Sequence, residues 1–388
     1  MFRQQHRIVR AKRKLGLAFS IEDSQIPRGN VFLNGNRPTG DSFYAYMHTG
    51  AIQIESVEGE DMIAARFMDI DDLQLVEEDV PKPGPGEVLI KVKAAGICGT
   101  DAHILKGESA STPPVILGHE YAGEVVELGE GVTGLHQGDR ISVDPNMFCH
   151  TCYYCHSGKE HLCLNLTALG VDIDGGFAEY AVVPEVQAHL LPPSVDFTAG
   201  AFIEPVACCI RGLQQAHIQP GDEVAILGGG PIGLILLQLA VAAGGRVTVS
   251  EPVQSKWSLA KALGAGRTVL PEELPDDAFD IVIEAAGIKA TVEQSVQVAR
   301  RGASIVWFGV SPQGLQAAIE PHEVFRKELH ISGSFINPHT HARAVKLVGT
   351  GAVRVEPLVS HRFPLTEIDE ALRVHASGHA NKVMIIPE

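Results

Sequence analysis

Four cysteines are spaced so that a single metal ion could bind all of them. Cys149, Cys152, Cys155 and Cys163 form a C-x2-C-x2-C-x7-C run. Zinc binds four thiolates tetrahedrally, and a site closed by four protein ligands leaves no position for water or substrate. The run therefore predicts a structural zinc site that fixes a long loop with little apolar material of its own. The alternative is that four thiols lie close together by chance.

A second group of residues predicts a metal site of a catalytic kind. Cys98 in GICGTDAH, with His119 and Glu120 in GHEYAGEVVELGEGV, offers a thiolate, an imidazole and a carboxylate. Three protein ligands on zinc leave one position for water or substrate. Glu204 in FIEPVACC is a candidate fourth ligand or neighbouring carboxylate, and the sequence does not rank it against Glu120. Taken singly, each residue could instead be a core thiol, a paired histidine or a solvated carboxylate.

A glycine-rich turn indicates a dinucleotide site. Gly228, Gly230 and Gly233 match G-x-G-x-x-G between the predicted strand 222–228 and a predicted helix that opens at Pro231 and Ile232. Glycine permits the tight turn and the close approach of the backbone to a pyrophosphate, whose charge the helix N-terminus favours. The alternative is a glycine-rich turn in a sheet that binds no nucleotide.

An acidic residue after the second predicted strand favours NAD over NADP as the cofactor. Glu251 ends the next predicted strand about twenty residues later, where a carboxylate accepts hydrogen bonds from the adenosine ribose and repels a 2'-phosphate. The sequence therefore predicts NAD rather than NADP. Lys256 is a candidate partner for the adenosine ribose and Lys382 for the pyrophosphate, although both could be solvated surface lysines.

Composition excludes some classes of partner. The 388 residues are 45% hydrophobic and 20% charged, with a net charge of -16, which opposes attraction to nucleic acid. The longest apolar run near a helix signal, 231–243, is shorter than the roughly 20 residues that a membrane-spanning helix requires. An odd cysteine count with thiols at metal spacing fits a reducing compartment, so we expect a cytoplasmic protein.

The order of the predicted strands and helices along the chain indicates an α/β protein with two domains. Residues 62–202 carry short β-branched runs broken by Gly and Pro, which indicate a compact, strand-rich domain. Residues 203–335 alternate strand and helix, including a strand at 279–287, a helix at 289–302 and a strand at 303–310. Such alternation specifies a doubly wound parallel sheet. The tail, 336–388, is expected to return to the first domain.

Residues 1–61 are predicted to be an extension that is poorly ordered or not native. Residues 1–20 contain six Lys or Arg and no Asp or Glu, which also fits a transit peptide. The segment 62–81 already resembles the opening strands of a domain, and the chain could therefore start at Met62.

Residues 62–388 resemble the zinc-containing medium-chain dehydrogenases. The signature G-H-E-x2-G-x5-G-x2-V of that family is matched without a gap at Gly118, His119, Glu120, Gly123, Gly129 and Val132. The acidic residue in FIEP, and the segment PLVSHRFPL, resemble the sorbitol (polyol) dehydrogenase branch. Threonine and 2,3-butanediol dehydrogenases share the same pattern.

The resemblance implies a GroES-like catalytic domain, a Rossmann coenzyme domain, a cleft between them, and a homodimer or homotetramer. It also implies two zinc ions per subunit and NAD. Three features depart from the family. Ile336 and Asn337 stand where sorbitol dehydrogenases have an Arg-Tyr pair, the stretch 268–278 is short, and residues 1–61 have no counterpart.

The family resemblance also suggests a route for the proton. A zinc ion acts as a Lewis acid that lowers the pKa of a bound hydroxyl, so that hydride can leave for the nicotinamide. Thr100 and His103 match the relay positions of the family, with Glu204 as a third catalytic candidate. Alternatively, Thr100 is a turn residue and His103 a surface histidine.

Three functions follow, in order of preference. The first is NAD-dependent, zinc-dependent oxidation of a polyol or other secondary alcohol to a ketone. The second is a threonine or vicinal-diol dehydrogenase. The third is a non-catalytic, crystallin-like protein on the same fold, because fold alone does not fix function; the intact set Cys98, His119 and Glu120 argues against it.

Overall fold

The computed structural model describes residues 31–36, 42–48, 51–56 and 61–387, and the chain forms two units, 1–61 and 62–388. In the first unit, an antiparallel sheet consists of β1 (Val31–Asn36), β2 (Ser42–His48) and β3 (Ala51–Ser56). The basic stretch 1–20 lies outside the described residues. That the extension is poorly ordered or not native stays a prediction.

The second unit begins with a strand-rich part and continues with alternating strands and helices. The strands of the first part are β4 (Asp61–Asp69), β5 (Asp72–Asp79), β6 (Glu87–Gly96), β7 (Val115–Ile116), β8 (Glu120–Leu128), β9 (Arg140–Val143), β10 (Asn146–Met147), β11 (Thr167–Ala168), β12 (Tyr180–Pro184) and β13 (Ala188–Leu190). Its helices are α1 (Gly99–Leu105), α2 (Tyr153–His156) and α3 (Phe197–Ala201), followed by α4 (Ile203–Ala216).

The remaining elements form the part with alternating strands and helices, and the tail. The strands are β14 (Glu223–Leu227), β15 (Arg246–Ser250), β16 (Arg267–Val269), β17 (Phe279–Glu284), β18 (Ala299–Trp307), β19 (His330–Gly333), β20 (Val359–Pro364) and β21 (Lys382–Ile386). The helices are α5 (Pro231–Ala242), α6 (Trp257–Ala262), α7 (Lys289–Val298), α8 (Pro321–Lys327), α9 (His341–Gly349) and α10 (Ile368–Ala376).

The strand-rich part is built around β6. Its apolar residues Val88, Ile90 and Val92 are fully buried and, because they alternate along the strand, they share one face that packs in the core. The sheet order is β13-β9-β8-β6-β21-β20, and β12 also pairs with β6. Because β21 pairs antiparallel with the end of β6, the tail returns to the first domain as predicted.

The second sheet is parallel, in the order β16-β15-β14-β17-β18-β19. Counted along the chain this is the doubly wound order 3-2-1-4-5-6, whose ligand crevice lies at the carboxyl ends of the strands. The strand β14 and the helix α5 are buried along most of their length, which is why both read as continuous apolar runs. The predicted α/β class is confirmed.

Some predicted boundaries in the second sheet are wrong by several residues. The strands predicted over 279–287 and 303–310 end at Glu284 and Trp307. The helix predicted over 289–302 ends at Val298, and the following strand starts at Ala299 rather than 303. At this point Ala299 pairs with Phe279 of β17, and the guanidinium of Arg300 lies 2.9 Å from the carboxylate of Asp280, so the segment continues as a strand. The first domain was predicted to be 62–202 plus 336–388, and the second 203–335. Apart from Asp61 at the start of β4, the strands of the second unit lie within these segments, and the exact limits of the domains stay predictions.

Candidate functional site

The structure brings together three of the predicted metal ligands. Cys98 follows β6 and caps α1, while Glu120 begins β8 and His119 precedes it. The pairing of Gly96 with Glu120 in the β6–β8 ladder places these two chain segments side by side. The sulfur, imidazole nitrogen and carboxylate oxygen lie within 4.8 Å of one another. A thiolate, an imidazole and a carboxylate at this separation fit a zinc ion.

A buried carboxylate that the sequence analysis missed orients this group. Asp101 is fully buried, accepts a hydrogen bond from the Cys98 amide at 2.8 Å, and lies 3.4 Å from Nδ1 of His119. Burial lowers the pKa of His119, but Asp101 and Cys98 more than offset this and hold it well above its usual value. With Nδ1 facing Asp101, Nε2 is left for a metal ion. The C-x2-D spacing at a helix start was the available signal.

Glu204 lies just outside this group. It is in the first turn of α4, buried, and not among the atoms within 4.8 Å of one another. Burial raises its pKa to about 7, with the charge of Glu120 adding to the shift and His119 opposing it. The thiol of Cys208, one helical turn later, donates to its Oε1 at 3.1 Å. Glu204 is therefore a neighbour of the predicted metal site.

Lys382 lies at this site rather than on the protein surface. Its side chain is buried, and its Nζ contacts Oε2 of Glu120. Burial opposes its protonation, yet the Glu120 carboxylate holds the pKa of Lys382 above its ordinary value. A Cβ at Gly96 would collide with both side chains, so glycine is needed there. The predicted contact of Lys382 with a pyrophosphate stays a prediction.

The two relay candidates lie on α1. The hydroxyl of Thr100 is 3.7 Å from the sulfur of Cys98, which places it beside the metal ligands. His103 follows one helical turn later, is partly exposed, and its Nδ1 lies 2.7 Å from Oε2 of Glu108. A partly exposed imidazole near Thr100 is compatible with a proton path to water, and the relay itself stays a prediction.

The four cysteines of the predicted structural site also converge. The sulfur atoms of Cys149, Cys152, Cys155 and Cys163 lie within 4.8 Å of one another. The amide of Cys149 donates to the sulfur of Cys163 at 3.3 Å, and the hydroxyl of Thr151 is the main cause that lowers the pKa of Cys149 to about 5. Four sulfurs within one ion's reach fit tetrahedral zinc.

The glycine turn has the geometry that a nucleotide site requires. Gly228 has φ +113°, Gly230 caps the N-terminus of α5, and a Cβ at Gly233 would collide with the carbonyl of Gly228. Pro231 and Ile232 are the first two residues of α5. The turn therefore leaves backbone amides and the helix N-terminus available for a phosphate.

The acidic residue after the second strand is fixed against this turn. Glu251 is buried, and its carboxylate accepts hydrogen bonds at 2.8 Å from the amides of Gly229 and Val253. Lys256 is partly exposed and donates to the carbonyl of Gly378 at 2.9 Å. The structure thus brings Glu251 to the turn, while Lys256 contacts the tail.

The two residues that depart from the sorbitol dehydrogenase pattern have different environments. Asn337 is buried, accepts a hydrogen bond from Nδ2 of Asn146 at 2.7 Å, and donates to Oδ1 of Asp144 at 3.3 Å. Ile336 has φ +43°, a conformation that a β-branched residue rarely adopts. Asn337 therefore holds its segment against the turn after β9, so its amide is already engaged.

Two family models match this chain. The alcohol dehydrogenase GroES-like domain matches residues 84–193, and the zinc-binding dehydrogenase model matches residues 231–349. A D-arabinitol dehydrogenase 1 from Uromyces fabae is 33% identical over 330 residues, 81% of this chain and 94% of the relative. An L-threonine 3-dehydrogenase from Pyrococcus horikoshii is 36% identical over 332 residues, again 81% and 94%.

A solved structure agrees with these matches. A zinc-binding dehydrogenase from Sinorhizobium meliloti 1021, bound to NADP, superposes with a TM-score of 0.82 and 43% identity, covering 84% of this chain and all of the other. The predicted resemblance, enzyme class and dependence on zinc and a nicotinamide cofactor are confirmed. No helix among the described residues is long and apolar enough to cross a membrane. The chain belongs to the zinc-binding alcohol dehydrogenases.

Proposed function

We propose that this protein oxidises a secondary alcohol of a small polyol to a ketone, with NAD as the hydride acceptor. The observation that carries the proposal is the convergence of Cys98, His119 and Glu120 in a chain that also contains a Rossmann-type parallel sheet. The D-arabinitol dehydrogenase relative supports a polyol as the substrate class. Loss of turnover on removal of zinc, and its return when zinc is restored, is the test.

The side chains at the site have different proposed roles. Cys98, His119 and Glu120 would hold zinc, which when bound supplies a Lewis acid for the substrate hydroxyl. Asp101 keeps the imidazole of His119 in one orientation. The ammonium of Lys382 contacts the buried Glu120 carboxylate and offsets its negative charge.

Glu120, rather than Glu204, is our choice of the direct carboxylate ligand. A carboxylate oxygen of Glu120 lies within 4.8 Å of the ligand atoms of Cys98 and His119, and Glu204 is not part of that group. With its pKa raised to about 7 by burial, Glu204 can hold or release a proton near neutral pH beside the substrate. Thr100 and His103 would carry the proton of the alcohol from the site to water.

Glu251 supports NAD as the preferred cofactor. Its buried carboxylate is fixed by two backbone amides, so it cannot move away from a 2'-phosphate without breaking both bonds. The Sinorhizobium meliloti structure is bound to NADP, so the preference must be measured on this protein. Comparable kcat/KM values for NAD and NADP would contradict it.

A second candidate is oxidation of L-threonine. It is favoured by the L-threonine 3-dehydrogenase relative, which is 36% identical to this chain. The discriminating experiment follows NADH formation with sorbitol, xylitol, arabitol, galactitol, 2,3-butanediol and L-threonine, with and without a chelator. Chelator-sensitive oxidation of a polyol supports the proposal, whereas oxidation of L-threonine or 2,3-butanediol alone supports the second class.

Assembly and location complete the proposal. Zinc dehydrogenases of this kind are expected to form homodimers or homotetramers, and the odd number of cysteines fits a cytoplasmic protein. Light scattering and fractionation of cells test these two points.

A further inference from the structure

Glu284 is a buried carboxylate at the point where the strand order of the parallel sheet reverses. It is the last residue of β17 and pairs with Leu227, the last residue of β14, directly before Gly228. In the order 3-2-1-4-5-6 the reversal lies between these two strands, and dinucleotides bind across the crevice there. The side chain of Glu284 is fully buried. A buried carboxylate needs specific hydrogen-bond partners to offset its loss of water.

One oxygen of this carboxylate holds the loop that follows β17. Oε1 accepts hydrogen bonds at 2.8 Å from the amides of Ala286 and Gly287, and at 2.7 Å from the hydroxyl of Thr291 in the first turn of α7. Hydrogen bonds to a charged acceptor are roughly twice as strong as neutral ones. Oε2 is buried without a hydrogen-bond partner among residues 61–387, which is unfavourable. The favourable contribution of Glu284 therefore comes from the three donors on Oε1.

The backbone of Glu284 holds a second loop, the one that follows β18. Its carbonyl accepts hydrogen bonds at 2.9 Å from the amides of Phe308 and Gly309. The two loops cross in direct contact, because a Cβ at Gly309 would collide with the backbone of Gly287. A Cβ at Gly287 would collide in turn with the carbonyl of Val310. A shift of the loop after β17 would therefore displace the loop after β18.

The loop after β17 borders the glycine turn. A Cβ added at Gly228 would lie 3.4 Å from the Cβ of Ala286. The amide of Ala285 donates to the carbonyl of Leu227 at 2.9 Å, which continues the pairing of β17 with β14 into the loop. Ala286 is exposed. The loop that Glu284 holds is therefore part of the surface beside the predicted pyrophosphate position.

We propose that Glu284 positions the wall of the crevice that receives the nicotinamide half of the cofactor. A Rossmann sheet consists of two mononucleotide-binding halves. The glycine turn and Glu251 belong to the half formed by β14–β16, whereas Glu284 and its two loops belong to the half formed by β17–β19. Because the carboxylate is fully buried under Gly309, it acts through the loops and not by contact with the cofactor. The inference depends on a nicotinamide cofactor, and not on the alcohol or on the preference for NAD.

The test compares the whole cofactor with its adenosine half. NADH is titrated into the zinc-loaded full chain and followed by its fluorescence, and AMP is titrated by calorimetry. Glu284→Ala removes the acceptor of all three side-chain hydrogen bonds. We expect it to lower the affinity for NADH by about tenfold or more and to leave the affinity for AMP unchanged. If the wild type binds NADPH more tightly than NADH, then NADPH and 2'-phospho-AMP replace this pair.

Two milder variants and a control separate positioning from support of the fold. Glu284→Gln keeps an oxygen for the donors but loses the charge, so it should recover part of the NADH affinity that Glu284→Ala loses. Thr291→Val removes one of the three donors and should lower NADH affinity several-fold without changing AMP affinity. Asp280→Asn is the matched control, because Asp280 lies at the amino end of the same strand, where it pairs with Arg300. It should keep both affinities.

Two results would overturn the inference. If NADH and AMP lost affinity by the same factor in Glu284→Ala and Thr291→Val, Glu284 would support the sheet as a whole and not the nicotinamide half. If NADH affinity were unchanged in both variants, the loops would not depend on this carboxylate. Melting temperatures establish that each variant is folded, and Thr291→Val decides if Glu284→Ala does not fold. These binding measurements need no turnover, so failure of polyol oxidation would leave them valid.

Discussion

Replacing Asp101 with Asn should weaken zinc binding without changing a metal ligand. The Asp101 carboxylate is fully buried, accepts a hydrogen bond from the amide of Cys98, and faces Nδ1 of His119. An asparagine has nearly the same shape but carries no charge, and it can turn an NH2 group toward the imidazole. The variant then loses the negative charge that holds the pKa of His119 above its usual value.

The size of the effect follows from the position of Asp101 behind a ligand. Loss of a partner that orients a ligating histidine typically costs 10- to 100-fold in metal affinity or activity, which is about 1.4–2.7 kcal/mol. We expect the zinc affinity of Asp101→Asn to be about 10- to 100-fold lower than that of the wild type. The assay is competition with a chromogenic chelator, together with kcat at saturating zinc.

Asp196→Asn provides a matched control. Asp196 also caps a short helix, α3, by accepting a hydrogen bond from the Ala199 amide at 2.7 Å, but it is exposed and is not in either group of converging metal ligands. It should keep wild-type zinc affinity. If Asp101→Asn also kept wild-type zinc affinity and kcat, Asp101 would be only a helix cap and our reasoning about His119 would be refuted.

Three further predictions concern the second metal site, the buried carboxyl and the cofactor. Cys152→Ser should lose one zinc per chain and melt several degrees lower, because the loop 149–163 buries few apolar groups; metal analysis and calorimetry check this, and retention of both zinc ions would contradict it. Burial raises the pKa of Glu204 to about 7, so its neutral form stabilises the fold fully below about pH 4.5, and this contribution is lost as the pH rises through 7. We therefore expect the free energy of unfolding of the metal-free protein, measured by urea titration, to fall less between about pH 4.5 and 7 in Glu204→Gln than in the wild type. If the free energy of unfolding had the same pH dependence in both proteins, Glu204 would not be a buried carboxyl with a raised pKa. Glu251→Gln should raise the ratio of kcat/KM for NADP to that for NAD by roughly tenfold, and an unchanged ratio would show that this carboxylate does not select the cofactor.

The sequence predicted the features that depend on local spacing. The four-cysteine run, the glycine turn and the G-H-E signature each lie within a few residues, so their chemistry could be interpreted before any fold was known. The structure places the four sulfurs within 4.8 Å and gives Gly228 the positive φ that the turn needs. That the second sheet is parallel followed from the alternation of strands and helices, whereas its strand order is known only from the structure.

Features that depend on distant pairing could not be predicted in the same way. Lys382 reaches Glu120 because β21 pairs with the end of β6, a register that no local pattern specifies. Asn337 was identified in the sequence only as a departure from the sorbitol dehydrogenase pattern, because its hydrogen bonds to Asp144 and Asn146 arise from contact between segments almost 200 residues apart.

Zinc content and turnover of Cys98→Ser test the central claim most directly. The wild type should contain two zinc ions per chain and form NADH with a polyol, while Cys98→Ser should remain folded, retain one zinc and form no NADH. Cys209→Ala, which changes a buried cysteine outside both metal groups, should keep both ions and turnover. If Cys98→Ser retained two zinc ions, or full activity, then Cys98, His119 and Glu120 would not form the catalytic metal site.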